Sequence, residues 1–255
     1  MRQVSFELTL QFLKHIAMKI ELDVHTHTVA SGHAYSTIQE TAQAAADKGL
    51  KILGITEHGP SIPGTCHPLY FRNLHCVPRE MYGVHLMLGA ELNILNTKGD
   101  IDLDEFHWRM LDIRIAGIHS LCWEGGTKEE NTEGVVNAMR NPFVQIISHP
   151  GDGVAELDFE RLVQVSKETR TILEVNNHTL APARHKASFA VPNNLEILRL
   201  AKQYEVPIIL GSDAHVSTMV AKYDYLEPLL AETEFPEDLI LNTSAERFLE
   251  YLKKI

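Results

Sequence analysis

The chain has 255 residues, 44% of them hydrophobic, and a formal net charge of −11 at pH 7. This length is typical of one large α/β domain, and the composition is sufficient to bury a sizeable core. The sequence contains no basic tract and no run of about twenty apolar residues, so it disfavours a nucleic-acid partner and a membrane span. The histidine content is unusual, at 14 residues.

The N-terminal segment, residues 1–17, carries polar and charged side chains within a mildly hydrophobic stretch, and no small-residue cleavage site follows it. It therefore does not predict a signal peptide. We treat it as an extension, either an additional helix or sequence that precedes a natural start at Met18. Residues 18–255 are predicted to form a single domain. The three cysteines give no disulfide framework, which favours a reducing, cytoplasmic location.

Short β-branched runs alternate with amphipathic stretches along the rest of the chain. The predicted strands lie at 20–24, 50–56, 84–92, 112–118, 143–148, 171–176 and 206–212. The predicted helices lie at about 37–48, 127–140, 158–169, 193–204, 222–232 and 243–253. The first helix has Ser36 as its predicted N-cap, with Gln39 completing a capping box. Uninterrupted apolar runs indicate parallel strands covered on both faces. We predict one closed or nearly closed β/α barrel, with a doubly wound open sheet as the alternative.

Histidines and carboxylates stand at the end of every predicted strand. In chain order they are His25, His27, Glu57, His58, Glu91, His119, His149, Glu174, Asp213 and His215. In a parallel barrel the carboxyl ends of the strands meet on one face, where such enzymes have their active sites. One strand-end histidine is often structural, but the repetition at all seven ends predicts a metal site.

The spacing and number of these residues suit more than one ion. His25 and His27 are two positions apart on a strand, so their rings point to the same face and can bind one cation. Glu91 and Asp213 add charged oxygens, which can bridge cations. Together with His33, the strand-end histidines number seven, too many for one tetrahedral ion; at about three to four ligands each, they would serve two or three ions. Zinc, manganese or iron suits such a set, whereas calcium does not.

Other candidate sites carry weaker signals. The segment 66–76 contains two cysteines and two histidines, and we consider either an independent zinc clasp or a loop covering the barrel mouth as a substrate lid. No nucleotide-binding glycine loop or nucleophilic-serine motif occurs. Weaker candidates for contacts to a substrate are Arg79, His178, Arg184 and Lys186.

Six motifs carry a family resemblance: LDVHTHT, GITEHG, GAELNI, AGIHS, IISHPG and LGSDAH, in this order. The sequence resembles the PHP (polymerase and histidinol phosphatase) family from about Ile20 to the C-terminus. The stretches HTHTVASGHAYST and NTSAERFLEYL are most similar to the YcdX-type phosphatases of that family. The resemblance implies a distorted (β/α)7 TIM-like barrel with three divalent ions per chain, zinc, manganese or iron, at the carboxyl ends of the strands.

The resemblance also implies which residues bind each ion. His25, His27, Glu91 and Asp213 would hold the first ion, Glu91 would bridge to a second held by His119 and His149, and His33, His58 and His215 would hold the third. The sequence departs from the family at Glu57, where an aspartate is usual. We expect Glu57 to orient the ring of His58 rather than to bind metal.

The resulting hypothesis is hydrolysis of a small phosphate monoester by a metal-bound hydroxide, with Glu91 and Asp213 as the catalytic carboxylates. Asp213 or a bound water would protonate the leaving group. The alternatives are a histidinol phosphatase, an amidohydrolase-like enzyme that cleaves C–N bonds, and a metal-binding domain with a regulatory role. We expect a cytoplasmic protein without nucleic-acid or membrane partners; a homo-oligomer is left open.

Overall fold

The computed structural model describes residues 18–182 and 187–252. The predicted extension, residues 1–17, lies outside these ranges. Within them, no helix combines the length and the apolar character needed to cross a membrane.

Eight strands form one sheet in the described part of the chain. They are β1 (Leu22–Asp23), β2 (Ile52–His58), β3 (Glu80–Met81), β4 (Val84–Asn93), β5 (Ile113–Gly117), β6 (Ile146–Ile147), β7 (Ile172–Asn176) and β8 (Ile208–Gly211). Seven of them are parallel, in the order β1-β2-β4-β5-β6-β7-β8, and correspond to the seven predicted strands. The sequence did not predict β3, which pairs antiparallel with the start of β4.

The helices lie between the parallel strands and after the last one. They are α1 (Ile38–Asp47), α2 (Pro68–Asn73), α3 (Glu105–Trp108), α4 (Lys128–Arg140), α5 (Phe159–Thr169), α6 (Ala187–Tyr204), α7 (Glu227–Thr233) and α8 (Ala245–Leu252). Helix α6 begins six residues before its predicted start, and α7 begins five residues after its own. Pro192 lies inside α6, although proline usually breaks a helix interior.

The two ends of the parallel sheet meet, so the barrel is nearly closed. Thr26, after β1, forms a parallel bridge with Ala214, after β8, and the amide of His27 donates to the Ala214 carbonyl at 2.9 Å. The buried carboxylate of Asp23 accepts from the amide of Ala221 at 2.8 Å, which joins the same two regions. The predicted barrel is confirmed, and the open sheet is wrong.

The apolar core has two layers, as expected for strands covered on both faces. The larger layer packs the outer face of the sheet against the helices. The smaller one fills the barrel interior with side chains such as Met87 and Ile113, and Phe248 of α8 packs against it. Side chains alternate along a strand, so Met87 and Glu91 of β4 point to the same side of the sheet. The interior is therefore apolar at the amino ends of the strands and polar at their carboxyl ends.

The predicted cap of α1 is shifted by one residue. Thr37, not Ser36, is the N-cap, and Glu40, not Gln39, completes the capping box. The hydroxyl of Ser36 instead accepts from the amide of Ser217 at 2.9 Å, a contact between distant parts of the chain.

Candidate metal centre

The carboxyl ends of the strands bring all nine predicted metal ligands together. A cavity of about 580 Å³ opens at this face. Six of the predicted ligands line it: His33, His58, His119, His149, Asp213 and His215. His25, His27 and Glu91 are buried and contact these residues from below.

Four of the residues bring their donor atoms close together below the cavity. Nε2 of His25 lies 3.1 Å from Nε2 of His27, and these nitrogens lie 3.5 and 3.4 Å from Oε2 of Glu91. Oδ1 of Asp213 lies 3.6 and 3.3 Å from the same two nitrogens. Ligands bound at about 2.0–2.1 Å to a tetrahedral zinc ion stand about 3.3 Å apart, so His25, His27 and Glu91 fit one ion, and Asp213 lies near that spacing from both histidines.

Glu91 turns its two oxygens to different histidines. Oε1 lies 3.2 Å from Nε2 of His119 and 2.8 Å from Nε2 of His149. Oε2 faces His25 and His27, and it also lies 2.8 Å from Nδ1 of His58. The Glu91 carboxylate therefore lies between two groups of histidine nitrogens. A carboxylate that bridges two cations would have to lie in such a position.

The remaining histidines form an outer group. Nε2 of His58 lies 3.1 Å from Nε2 of His33, and the ring centre of His215 is 5.1 Å from that of His33. His58 and His215 also form a group of three nitrogens with His27, all within 4.8 Å of one another. His58 thus stands between the outer histidines and the buried group.

Carboxylates outside the cluster hold two of the ligand rings. Nδ1 of His25 lies 2.7 Å from Oε1 of Glu174, and Nδ1 of His149 lies 3.2 Å from Oδ2 of Asp152. Each Nδ1 therefore carries a hydrogen toward its carboxylate, and Nε2 is the ring atom that faces the cluster. Histidines that bind metals are typically held in this way.

Glu174 has a larger role than the sequence indicated, where it was only one of the strand-end carboxylates. Its Oε2 also accepts from the amide of His149 at 2.8 Å and from Nδ2 of Asn176 at 3.0 Å. Gly211 of β8 provides the space, because a Cβ there would lie 1.8 Å from Oε1 of Glu174. Glu174 therefore positions parts of two ligand segments.

The charges of the cluster keep both ligand carboxylates ionised. Burial alone would raise the pKa of Glu91, but His25 and His119 hold it well below its usual value. Burial would also raise the pKa of Asp213, which His25 and His27 lower strongly. Burial and neighbouring histidines hold the pKa of His27 well below its usual value, which favours the neutral ring. Burial alone would lower the pKa of His25 and of His149, but neighbouring carboxylates raise both well above the usual value. Ionised carboxylates and neutral imidazoles are the forms that bind metals, so an ion that binds at His25 or His149 must displace a proton.

Five buried atoms of the cluster have no hydrogen bond of good geometry within the described residues. Three of them are Oε2 of Glu91, Oδ1 of Asp213 and Nε2 of His119. Buried polar atoms in native proteins are nearly always paired. Because all three are donors of the kind that divalent transition metals prefer, the residues present fit such an ion.

Two of the predicted ligands adopt a strained backbone. His149 has a φ of 32° and Asp213 a φ of 51°, both in the left-handed region. This conformation costs a non-glycine residue about 1–2 kcal/mol. Strain of this kind persists where surrounding contacts over-determine it, most often at functional sites.

The prediction that Glu57 orients the ring of His58 is wrong. The Glu57 carboxylate accepts from Thr28, Ser31 and Tyr70 instead. The oxygens of Glu57 lie against the loop that follows β1, on Thr28 and Ser31, and not on the ring of His58.

The residues predicted to contact a substrate lie in different places. His178 lines the cavity, with its ring centre 5.3 Å from that of His215. Arg79 lies at the opposite end of the barrel, where it pairs with Asp112 at 2.8 Å just before β5, so it cannot contact a substrate in the cavity. Arg184 and Lys186 lie outside the described residues.

The segment 66–76 gives no second metal site. Among the residues that the structure describes, the groups able to hold an ion contain no cysteine. Sγ of Cys66 faces the backbone oxygen of His58 at 3.9 Å, while the exposed Cys76 lies 3.4 Å from Nε2 of its neighbour His75.

A nearly closed β/α barrel with an imidazole and carboxylate cluster at the carboxyl ends of its strands defines a class of metal-binding barrels. The chain belongs to the PHP domain family, whose model matches residues 23–254. This confirms the family that the six motifs indicate.

Relatives of this chain match it over nearly its whole length. A protein of Clostridium novyi named probable phosphatase is 45% identical over 236 residues, which is 92% of this chain and 96% of the relative. A solved structure from Listeria monocytogenes has a TM-score of 0.60 at 15% identity and covers 79% of this chain and 97% of its own. Histidinol phosphate phosphatase from Lactococcus lactis, solved with zinc, L-histidinol and phosphate, has a TM-score of 0.57 at 18% identity, covering 86% and 93%. At these identities the two structures show the shared fold alone.

Proposed function

We propose that this chain is a metal-dependent phosphatase that hydrolyses small phosphate monoesters at a centre of three divalent ions. The observation that carries the proposal is the convergence of seven histidines and two ionised carboxylates on one cavity. The name of the Clostridium novyi relative supports it, as do the zinc and phosphate in the Lactococcus lactis structure. Zinc, manganese or iron suits the nitrogen-rich donor set.

The ligands divide among the ions according to the family resemblance. Donor spacing supports the first set at His25, His27 and Glu91, whereas the other two close groups of donors place His58 with Glu91 and His119, and with His27 and His215. The proposed sets are His25, His27, Glu91 and Asp213 for the first ion, Glu91, His119 and His149 for the second, and His33, His58 and His215 for the third. Glu91 belongs to two sets because its oxygens face different histidines.

Divalent ions bound at these residues would lower the pKa of water and neutralise the charge of the phosphoryl oxygens. In the proposed reaction the water oxygen attacks phosphorus, and the bond from phosphorus to the leaving oxygen breaks. Asp213 is ionised and lines the cavity, so we assign it the proton of the water, which then passes to the leaving oxygen. We assign His178, beside His215, to a phosphoryl oxygen.

Three other functions remain to be tested against this one. A histidinol phosphatase would use the same ligands with a different leaving group. A C–N-cleaving enzyme would release product from an amide, and a regulatory domain would bind ions without turnover. The intact ligand set favours an enzyme over a regulatory domain.

The experiment measures phosphate release by metal-free protein after addition of zinc, manganese or iron. The substrates are an aryl phosphate, histidinol phosphate and an aryl amide. We expect hydrolysis of the aryl phosphate and none of the amide, and a loss of at least about 100-fold in His27→Ala. His85→Ala is the control, because His85 is exposed at the start of β4, the opposite end of the barrel. Absence of phosphate release with every metal, or His27→Ala behaving as the parent, would contradict the proposal.

A further inference from the structure

The carboxylate of Glu57 is fully buried and is surrounded by hydrogen-bond donors. Its Oε2 accepts from the amide of Thr28 at 3.1 Å and from the hydroxyl of Ser31 at 2.6 Å. Its Oε1 accepts from the hydroxyls of Thr28 and Tyr70. The Ser31 hydroxyl donates to Glu57, so its single hydrogen is used in that bond.

The oxygen of Ser31 can then only accept, and it has two donors. The backbone amide of His58 lies 3.1 Å from it, and Nδ1 of His27 lies 3.2 Å from it. Because a bond between this oxygen and Nδ1 needs a hydrogen from the ring, Nδ1 of His27 carries that hydrogen. Nε2 then carries the lone pair, and it is the atom that faces His25, Glu91 and Asp213.

We propose that Glu57 and Ser31 are positioning residues that fix the hydrogen of His27 on Nδ1 and so make Nε2 a metal ligand. His25 and His149 are held by a carboxylate directly, whereas His27 is held through one interposed hydroxyl. The arrangement also joins the end of β2 to the loop after β1, through the amide of His58. This inference rests on the proposed function only in taking a divalent ion as the partner of Nε2.

The two oxygens of Glu57 accept from different donors, and this difference determines how a glutamine would fit at position 57. In Glu57→Gln, the amide of Thr28 cannot turn away, so the glutamine oxygen must stay at the position of Oε2. The side-chain nitrogen then takes the place of Oε1, where the hydroxyls of Thr28 and Tyr70 can rotate to accept. Ser31 keeps its acceptor, and we expect Glu57→Gln to retain the orientation of His27.

The test combines a tautomer measurement with a metal affinity. Nitrogen-15 shifts of His27, assigned by comparison with His27→Gln, show which ring nitrogen carries hydrogen in the metal-free protein. Competition with a chelating dye measures zinc affinity. We expect Nδ1–H in the parent and in Glu57→Gln, and a mixture of tautomers in Ser31→Ala with zinc bound roughly 10- to 100-fold more weakly at one site.

Two variants serve as matched controls. Ser166→Ala removes an equally buried hydroxyl from α5, where it donates to the carbonyl of Thr171 at 2.6 Å. Tyr70→Phe removes a donor from Glu57 without touching Ser31. We expect both to keep the zinc affinity of the parent.

Hydrogen on Nε2 of His27 in the parent, or parental zinc affinity and an unchanged tautomer in Ser31→Ala, would overturn the inference. If Ser31→Ala does not fold, the tautomers of the parent and of Glu57→Gln decide the question. If the parent binds zinc but releases no phosphate, and Ser31→Ala still binds zinc more weakly, the proposed function is contradicted and the positioning role is not. If the parent releases phosphate and Ser31→Ala binds zinc as the parent does, only the positioning role is contradicted.

Discussion

His33 is exposed to solvent, unlike the other histidines of the cluster. It comes from the loop after β1, and its Nε2 meets Nε2 of His58 at 3.1 Å. The ions proposed to bind deeper in the barrel do not depend on it. The contribution of His33 is therefore separable from the rest of the site.

We predict that His33→Ala binds one ion fewer than the parent and keeps its folded stability. The reason is that only the outer group loses a ligand, while no buried contact is removed. Metal content per chain, measured after dialysis, checks this, with His85→Ala as the control for an exposed histidine elsewhere. Loss of every ion, or of none, would contradict the assignment of His33 to an ion of its own.

Tyr35 is the second exposed residue at the cavity. Its side chain lines the opening although it is 77% accessible, so nothing in the described structure covers it. We predict that Tyr35→Ala raises KM for an aryl phosphate about fivefold and leaves kcat nearly unchanged, since an aromatic contact contributes about 1 kcal/mol. Tyr82→Ala is the control, because Tyr82 is exposed in the turn between β3 and β4. An unchanged KM would show that the leaving group does not contact Tyr35.

The converging histidines and carboxylates, apart from His33, could be predicted from the sequence because each stands at the end of a strand that is recognisable by itself. The groups that hold these side chains could not. Ser31 and Asp152 are ordinary loop residues in the sequence, and their contacts to His27 and His149 exist only in the fold. Arg79 was misplaced because its segment returns to the amino end of β4 through β3, which has no strand-like pattern.

At the scale of an element, helix α1 shows which features the local sequence predicts and which it does not. Periodicity predicts the helix, and Gly49 after its end has a φ of 74°, as a glycine there should. Ser36 and Thr37 are both acceptable N-caps by sequence. The choice between them is made by a contact to Ser217, which the sequence around the helix does not contain.

We predict that Thr37→Ala lowers the free energy of unfolding by about 1 kcal/mol, the usual contribution of an N-cap. Gln39→Ala, at the position first predicted to complete the capping box, should have little effect because Gln39 is exposed and Glu40 forms the box. Urea unfolding of the metal-free variants measures both. Equal effects of the two substitutions would contradict the capping geometry.

At the scale of the whole molecule, Glu21 joins both ends of the described chain. Oε1 lies 3.0 Å from Nζ of Lys19 and 2.8 Å from Nζ of Lys51, and Oε2 accepts from the amide of Ala245 at 3.1 Å. The bond from Lys51, followed by those from Lys19 and Ala245, lowers the pKa of Glu21 from 4.5 to about 2. The start of β1, the start of β2 and the first turn of α8 therefore share one ionised group.

A carboxyl group with a lowered folded-state pKa stabilises the fold above its unfolded value and loses this effect as the pH falls toward the folded value. We predict that Glu21→Gln is less stable than the parent above about pH 4.5, and that the difference shrinks as the pH approaches about 2. Urea unfolding with a chelator present measures it, because bound metal would add its own pH dependence. Glu250→Gln, at an exposed position of α8, is the control. A difference that does not change with pH would contradict the prediction.

Only part of the barrel architecture could be predicted from the sequence. Seven strands and their parallel arrangement follow from apolar runs separated by helices. Closure depends on contacts between residues nearly two hundred positions apart, such as the bond from Ala221 to Asp23, and no local pattern contains them. The six motifs supplied that information, because the family they indicate has a closed barrel.

The central claim is that the converging histidines and carboxylates bind divalent ions that the protein uses to hydrolyse phosphate monoesters. The most direct test is a titration of metal-free protein with zinc or manganese, in which bound ions per chain and phosphate release from an aryl phosphate are measured in the same samples. We predict that release rises with occupancy and reaches its plateau at three ions per chain. A chain that binds less than one ion, or that binds ions and releases no phosphate at any occupancy, would contradict the claim.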